Sequence, residues 1–164
     1  MRDAFGGLLN IGIIVVFMTI VSGYLAFNVS YAKAFKVKNK IISTIENYNA
    51  KCDFNNPEND CYKDVSEYEH TIGYQANINL SEDAICEGAS SSGFNSCACN
   101  RTLGFCWIEA DKDKHEGGNT TVSYKSYRIV TQVYIDLPII NRLLPNLSIF
   151  QVTGDTKDIP VEIK

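Results

Sequence analysis

Residues 4–32 carry no charged side chain, and past Tyr31 the pattern turns amphipathic without a break. The uncharged run, 29 residues long, exceeds the roughly 20 apolar residues that cross about 30 Å of hydrocarbon. Between Leu8 and Phe27, Asn10 is the only strongly polar side chain. Beyond that run, Ala34, Val37, Ile41, Ile45 and Tyr48 recur at steps of three and four, while Lys33, Lys36, Lys40, Ser43 and Asn47 line another face. This spacing is the helical period. No proline precedes Pro57 and no glycine lies between Gly23 and Gly73. The pattern therefore predicts one helix over about residues 5–48, roughly 65 Å long at 1.5 Å per residue. Its first half suits lipid or other helices, and its second half has a stripe that a head must cover.

Past Cys52 the chain reads as turns and strands. DFNNPENDCYKD and EGASSSGFNSC are turn-rich, and HTIGYQANINL has room for a short strand. Residues 103–109 predict a strand, DKDKHEGGN a charged hairpin tip, and residues 121–137 a long return strand. In that strand Tyr127, Ile129, Thr131, Val133, Ile135 and Leu137 share one face, with Arg128, Val130, Gln132, Tyr134 and Asp136 opposite. Pro138 ends it, residues 139–144 suggest a helical turn, and residues 147–152 and 159–163 suggest a final hairpin about Gly154-Asp155. No long helical pattern separates these strands, which favours antiparallel pairing. The expected fold is α+β: a transmembrane and stalk helix over residues 1–51, and over residues 52–164 a head of three to five strands packed on the amphipathic half.

Charge and cysteines pull orientation in opposite directions. Residues 1–51 hold six Lys/Arg and two Asp/Glu, and the remainder nine and seventeen, so +4 is followed by −8. An acidic head excludes nucleic acid, whose phosphates demand a basic face. Lys33, Lys36, Lys38 and Lys40 flank the span; they read as a solvated helix face, with anionic headgroups the other use. The positive-inside rule would keep that flank cytoplasmic. Against this, Cys52, Cys61, Cys86, Cys97, Cys99 and Cys106 all lie in the head. An even set in one small polar domain reads as a disulfide framework in an oxidising compartment, with fifteen possible pairings. Cys52 with Cys61 would close a small loop, and Cys97 and Cys99, too close to join each other, need more distant partners. Zinc is the rival use of Cys97, Cys99, Cys106 and His115, but Cys-x-Cys lacks the usual gap. The disulfide reading puts the head outside the cytoplasm.

A secretory signal is the competitor to an anchor, but its apolar core is usually about 7–15 residues with a small-residue exit. Ser30-Tyr31-Ala32 imitates such an exit weakly, and a retained anchor is expected. Along the span Ser22, Ala26, Ser30 and Ala34 form a small-residue seam where another helix could approach. Sequons at Asn28, Asn79, Asn100, Asn119 and Asn146 permit glycosylation and decide nothing. The two histidines, His70 and His115, read as exposed, and Glu67, Glu69, Glu82 and Asp83 as surface carboxylates. Asp111-x-Asp113 opens like a calcium loop, but Glu116 stands where the sixth-position glycine is required. No nucleophile, phosphate-loop, dinucleotide or zinc-protease motif occurs. Neither catalysis nor a cofactor or metal is expected.

The brief polar start MRDAFGG, the long span running on into KAFKVKNKIISTIENY, and the cysteine-bearing head resemble a type IV pilin-like subunit. The layout is most similar to the tight-adherence (TadE-like) minor pilins and pseudopilins. That resemblance implies peptidase cleavage at Gly6 or Gly7, packing with other pilin-like subunits through the helix, and a place at the cell surface or in a secretion machine. The family's glutamate at the fifth mature position has no counterpart, since Gly12 or Ile11 falls there. The function expected is a structural or accessory component of a pilus-like assembly; alternative: a membrane-tethered binding module whose loops 86–106 or 109–119 meet a ligand.

Overall fold

A computed structural model describes residues 2–74, 85–86, 96–116, 120–133 and 150–161. Helix α1 is unbroken over Arg2–Asn47. It ends where Asn49 and Ala50 turn left-handed (φ 50° and 60°) and the Ala50 N–H donates to the Ile45 carbonyl at 3.0 Å. The stripe does what its spacing requires: Ala34, Val37, Ile41 and Ile45 are buried. Tyr48, grouped with them by spacing, is exposed, because the helix stops before it and the chain turns away.

The second helix, α2 (Asp60–Ile72), corrects the expectation of turns in this region. Its start is masked by the turn-rich run before it, yet the signals are present. The Asn59 side chain accepts from the Cys61 N–H at 2.9 Å, and Gly73 takes the left-handed C-terminal position at φ 61°. Cys61, Val65 and Glu69 recur every fourth residue and are buried. Lys40 pairs with Asp64 at 3.2 Å and the Lys33 ammonium donates to the Gly73 carbonyl at 2.9 Å, so α2 runs back along α1 in the opposite direction.

Strands β1 (Ser96–Asn100), β2 (Phe105–Glu116), β3 (Thr120–Val133), β4 (Phe150–Asp155) and β5 (Ile159–Val161) form one antiparallel sheet in the order β1-β2-β3-β4, with β5 also on β3. The charged segment expected as a hairpin tip continues β2 instead: Asp111 to Glu116 pair residue by residue with Lys125 to Thr120. Asp111 and Asp113 therefore lie in a paired strand, and the loop that their spacing suggested is absent at these positions. The expected final hairpin is also corrected. β4 pairs with Arg128 to Val133 and β5 with Ser123 to Lys125, along the same edge of β3. Thr156, Lys157 and Asp158 stand opposite only Tyr127 and Ser126, so the pair is one edge strand with a β-bulge. Thr156 closes the gap, its N–H donating to the Tyr127 carbonyl and its Oγ1 accepting from the Tyr127 N–H, both at 2.9 Å. The Lys157 N–H then donates to Glu46 near the end of α1 at 3.0 Å. Residues 134–149, where a strand end and a helical turn were expected, lie outside the described residues; the run HTIGYQANINL, with room for a short strand, is helical as far as Ile72 and lies outside the described residues from residue 75.

The alternation of β3 sorts its side chains as the sequence pattern requires. Tyr127 and Ile129 join Val37, Ile41, Ile45, Phe54, Val65, Leu103 and Phe105 in the main core between sheet and helices. Phe54, Phe105 and Trp107 cluster there in edge-on and tilted contacts, with ring centroids 5.1–5.7 Å apart. Val130, on the other face, is buried with Ile85, Cys106 and Ile108. Gly154 allows the closest approach of sheet to helix: a Cβ there would stand 2.8 Å from Lys38 Cδ and 3.0 Å from Ile42 Cδ1.

Candidate functional site

Two features stand out on the surface of the described residues: the bare half of α1 and the junction where the head clasps the other half. On the bare half Leu9, Ile11, Phe17 and Met18 are each more than 60% exposed. Among the described residues this is the one helix long and apolar enough to cross a membrane. Water around so many apolar side chains would cost about 25 cal/mol for each Å² left uncovered, which lipid or neighbouring helices remove. The chain thus joins a single N-terminal apolar helix to a small head held by three disulfides, the architecture of a membrane-anchored domain.

At the junction the lysines are engaged by the head. Lys33 and Lys40 reach α2 as described above, and Lys38 is buried, its ammonium 4.2 Å from the Phe35 ring centre. Only Lys36 of the four stays exposed. The expectation of a solvated lysine face is corrected for Lys33, Lys38 and Lys40: α2 brings carboxylate and carbonyl acceptors to two of them, and β4 covers the stem of the third.

The small-residue seam is divided by the same clasp. Ser22 is exposed, Ala26 and Ser30 are half-buried, and Ala34 is fully buried against Val133 and Val152. The Thr131 hydroxyl donates to the Ala34 carbonyl at 3.2 Å. Ala34 therefore serves contact with the sheet, because the seam continues directly into the stripe that the head covers. Gly6 and Gly7 lie in the first turns of α1, and nothing stands within 4 Å of where a Gly7 Cβ would be.

All six cysteines are oxidised. Cys52–Cys61 ties the exit of α1 to the first turn of α2, Cys86–Cys97 anchors the residue-86 segment to β1, and Cys99–Cys106 crosses directly between paired positions of β1 and β2. No thiol remains for zinc, and among the described residues no cluster of three or more His, Cys, Asp or Glu side chains could hold a metal. His70 is exposed on α2, and His115 lies in β2 opposite Thr121.

Glu69 is the residue that sequence reasoning misplaced. It is buried, its Oε1 has no hydrogen-bond partner among the described residues, and desolvation pushes its pKa from an ordinary 4.5 to about 8. At neutral pH it is chiefly a neutral acid. The adjacent Tyr74 phenol donates to the Gln132 carbonyl at 2.8 Å and the Gly104 carbonyl at 3.3 Å; burial first, then the neighbouring Glu69, raise its pKa. The i, i+4 repeat of Cys61, Val65 and Glu69 was the available signal, visible once α2 is recognised as a helix. Glu82 and Asp83 lie outside the described residues.

Neither any family model nor any curated protein or solved structure matches this chain.

Proposed function

We propose that the chain is a structural subunit or accessory component of a pilus-like surface or secretion assembly, of the type IV or tight-adherence kind, and has no catalytic role. One observation carries the reading: a single 46-residue helix is bare and apolar along its first half and built into the core of a disulfide-bonded sheet along its second. Such a rod lets subunits associate in the membrane while presenting rigid heads on one side. Three disulfides favour the oxidising side, outside the cytoplasm. The engagement of the Lys33 and Lys40 ammonium groups by α2, and of the Lys38 stem by β4, lessens the weight of the opposing charge signal, since these side chains fold against the domain. Helix packing would use the open part of the seam, Ser22 and Ala26, with Ser30 at its margin.

The test is photo-crosslinking from residue 22 in native membranes, with sequencing of the mature amino terminus. Crosslinks to pilin-like helices and a start at Gly7 or Leu8 are expected. A strictly monomeric protein starting at Met1 would overturn the assembly reading. A second reading, a membrane-tethered binding module, is favoured by the covering of Ala34 and by Gly12 or Ile11 at the position of the family's glutamate. It predicts ligand capture through loops 86–106 or 109–119 by protein that forms no oligomer.

A further inference from the structure

We infer that the head makes its own contact with the bilayer, through an aromatic foot formed by Phe150 of β4 with Phe27 and Tyr31 of α1, seated at the boundary between headgroups and acyl chains. The inference rests on the membrane-anchor reading and adds to it a point of the sheet that touches lipid. The uncharged run begins at residue 4, and about 20 residues at 1.5 Å each bring the hydrocarbon edge to about residue 25. Phe27 and Tyr31 then stand within the first turns beyond that edge, and Lys33 is the first charge above them. The head begins at this same level. The Phe150 ring meets Phe27 edge-on, centroids 5.2 Å apart, and Phe27 lies 6.1 Å from Tyr31.

Alternation along β4 explains the placement. Val152, two residues on, points to the same side and is buried against Ala34 and Val133. Phe150 is one step nearer the membrane, where α1 covers one side of its ring and leaves it 45% exposed; Tyr31 is also 45% exposed. This apolar surface continues directly into the bare surface of the span, so the bilayer that covers one covers the other. Aromatic rings concentrate at this depth, where one side meets hydrocarbon and the other meets headgroups. Among the described residues Phe150 is the point of the sheet nearest the span, and β3 runs back from it towards Thr120, away from the bilayer.

The test uses the full chain in phosphatidylcholine vesicles whose acyl chains carry bromine near the headgroup. Phe150→Trp is compared with Tyr48→Trp, just past the end of α1 farthest from the bilayer, after subtraction of the Trp107 emission common to both. Phe27→Trp reports the same foot should the β4 variant disturb the sheet. The added Phe150→Trp and Phe27→Trp emission should be blue-shifted, lose intensity to bromine and resist aqueous iodide, with Tyr48→Trp behaving oppositely. Iodide quenching without bromine quenching, in protein that still floats with the vesicles, would overturn the foot while leaving the anchor intact. Protein that fails to float would overturn both. Blue-shifted emission immune to both quenchers and growing with protein density would assign the surface to a second copy and reject the bilayer as its occupant.

Discussion

Replacing Glu69 by glutamine should remove a pH dependence of folding that this one carboxyl imposes. Burial holds its folded pKa near 8 against an ordinary 4.5, so between those values the folded chain binds a proton that the unfolded chain has released. Stability therefore falls as pH rises through this window, is greatest from this group below about 4.5, and stops changing above about 8. At pH 7 the solution is about 2.5 pH units above the unfolded pKa of 4.5 and still below the folded value. At about 1.4 kcal/mol per unit this is on the order of 3 kcal/mol relative to pH 4.5. Glutamine is neutral at every pH and nearly the same shape, so the variant should match wild type within about 1 kcal/mol at pH 5 and exceed it at pH 8. The assay is urea unfolding of the full chain in detergent micelles with its disulfides intact, followed by Trp107 fluorescence at pH 5, 6, 7 and 8. Parallel stability curves for wild type and Glu69→Gln would refute the reasoning, because they would mean that the carboxylate ionises in place with a cation or water beside it.

The Thr44 hydroxyl is buried without a hydrogen-bond partner among the described residues, so Thr44→Val, which keeps the branched shape, should raise stability by about 1 kcal/mol in the same titration. Joint replacement of Cys52 and Cys61 by alanine opens a short loop between α1 and α2 and should lower stability by about 2–3 kcal/mol, with the far-ultraviolet spectrum preserved; no loss would mean that the loop is held by Phe54 packing alone.

The long helix and the sorting of β3 were legible because each is a local repeat. Apolar positions at three and four, or at two, reach the same face whatever surrounds them, so Ala34 to Ile45 and Tyr127 to Val133 announced their buried sides. The second helix was legible in principle through Asn59, Gly73 and the fourfold spacing of Cys61, Val65 and Glu69, but the turn-forming residues before it drew the reading towards loop. The site was less accessible. A lysine on a helix face looks solvated until another element brings an acceptor, as α2 does for Lys33 and Lys40. A glutamate looks like surface until both its neighbours and its partners are known.

By itself, the chain's pattern determined an apolar rod, its change to an amphipathic helix, an antiparallel head and cysteines suited to crosslinks. Tertiary structure alone decided how Cys86, Cys97, Cys99 and Cys106 pair, that β4 and β5 continue along one edge of β3, and that Glu69 is enclosed, whereas Cys52 with Cys61 followed from their spacing. It also decided that Ala34 faces the sheet. The reason is physical: periodicity is set by bonds between near neighbours in sequence, whereas burial, pairing and charge state depend on groups that only folding brings within a few ångströms.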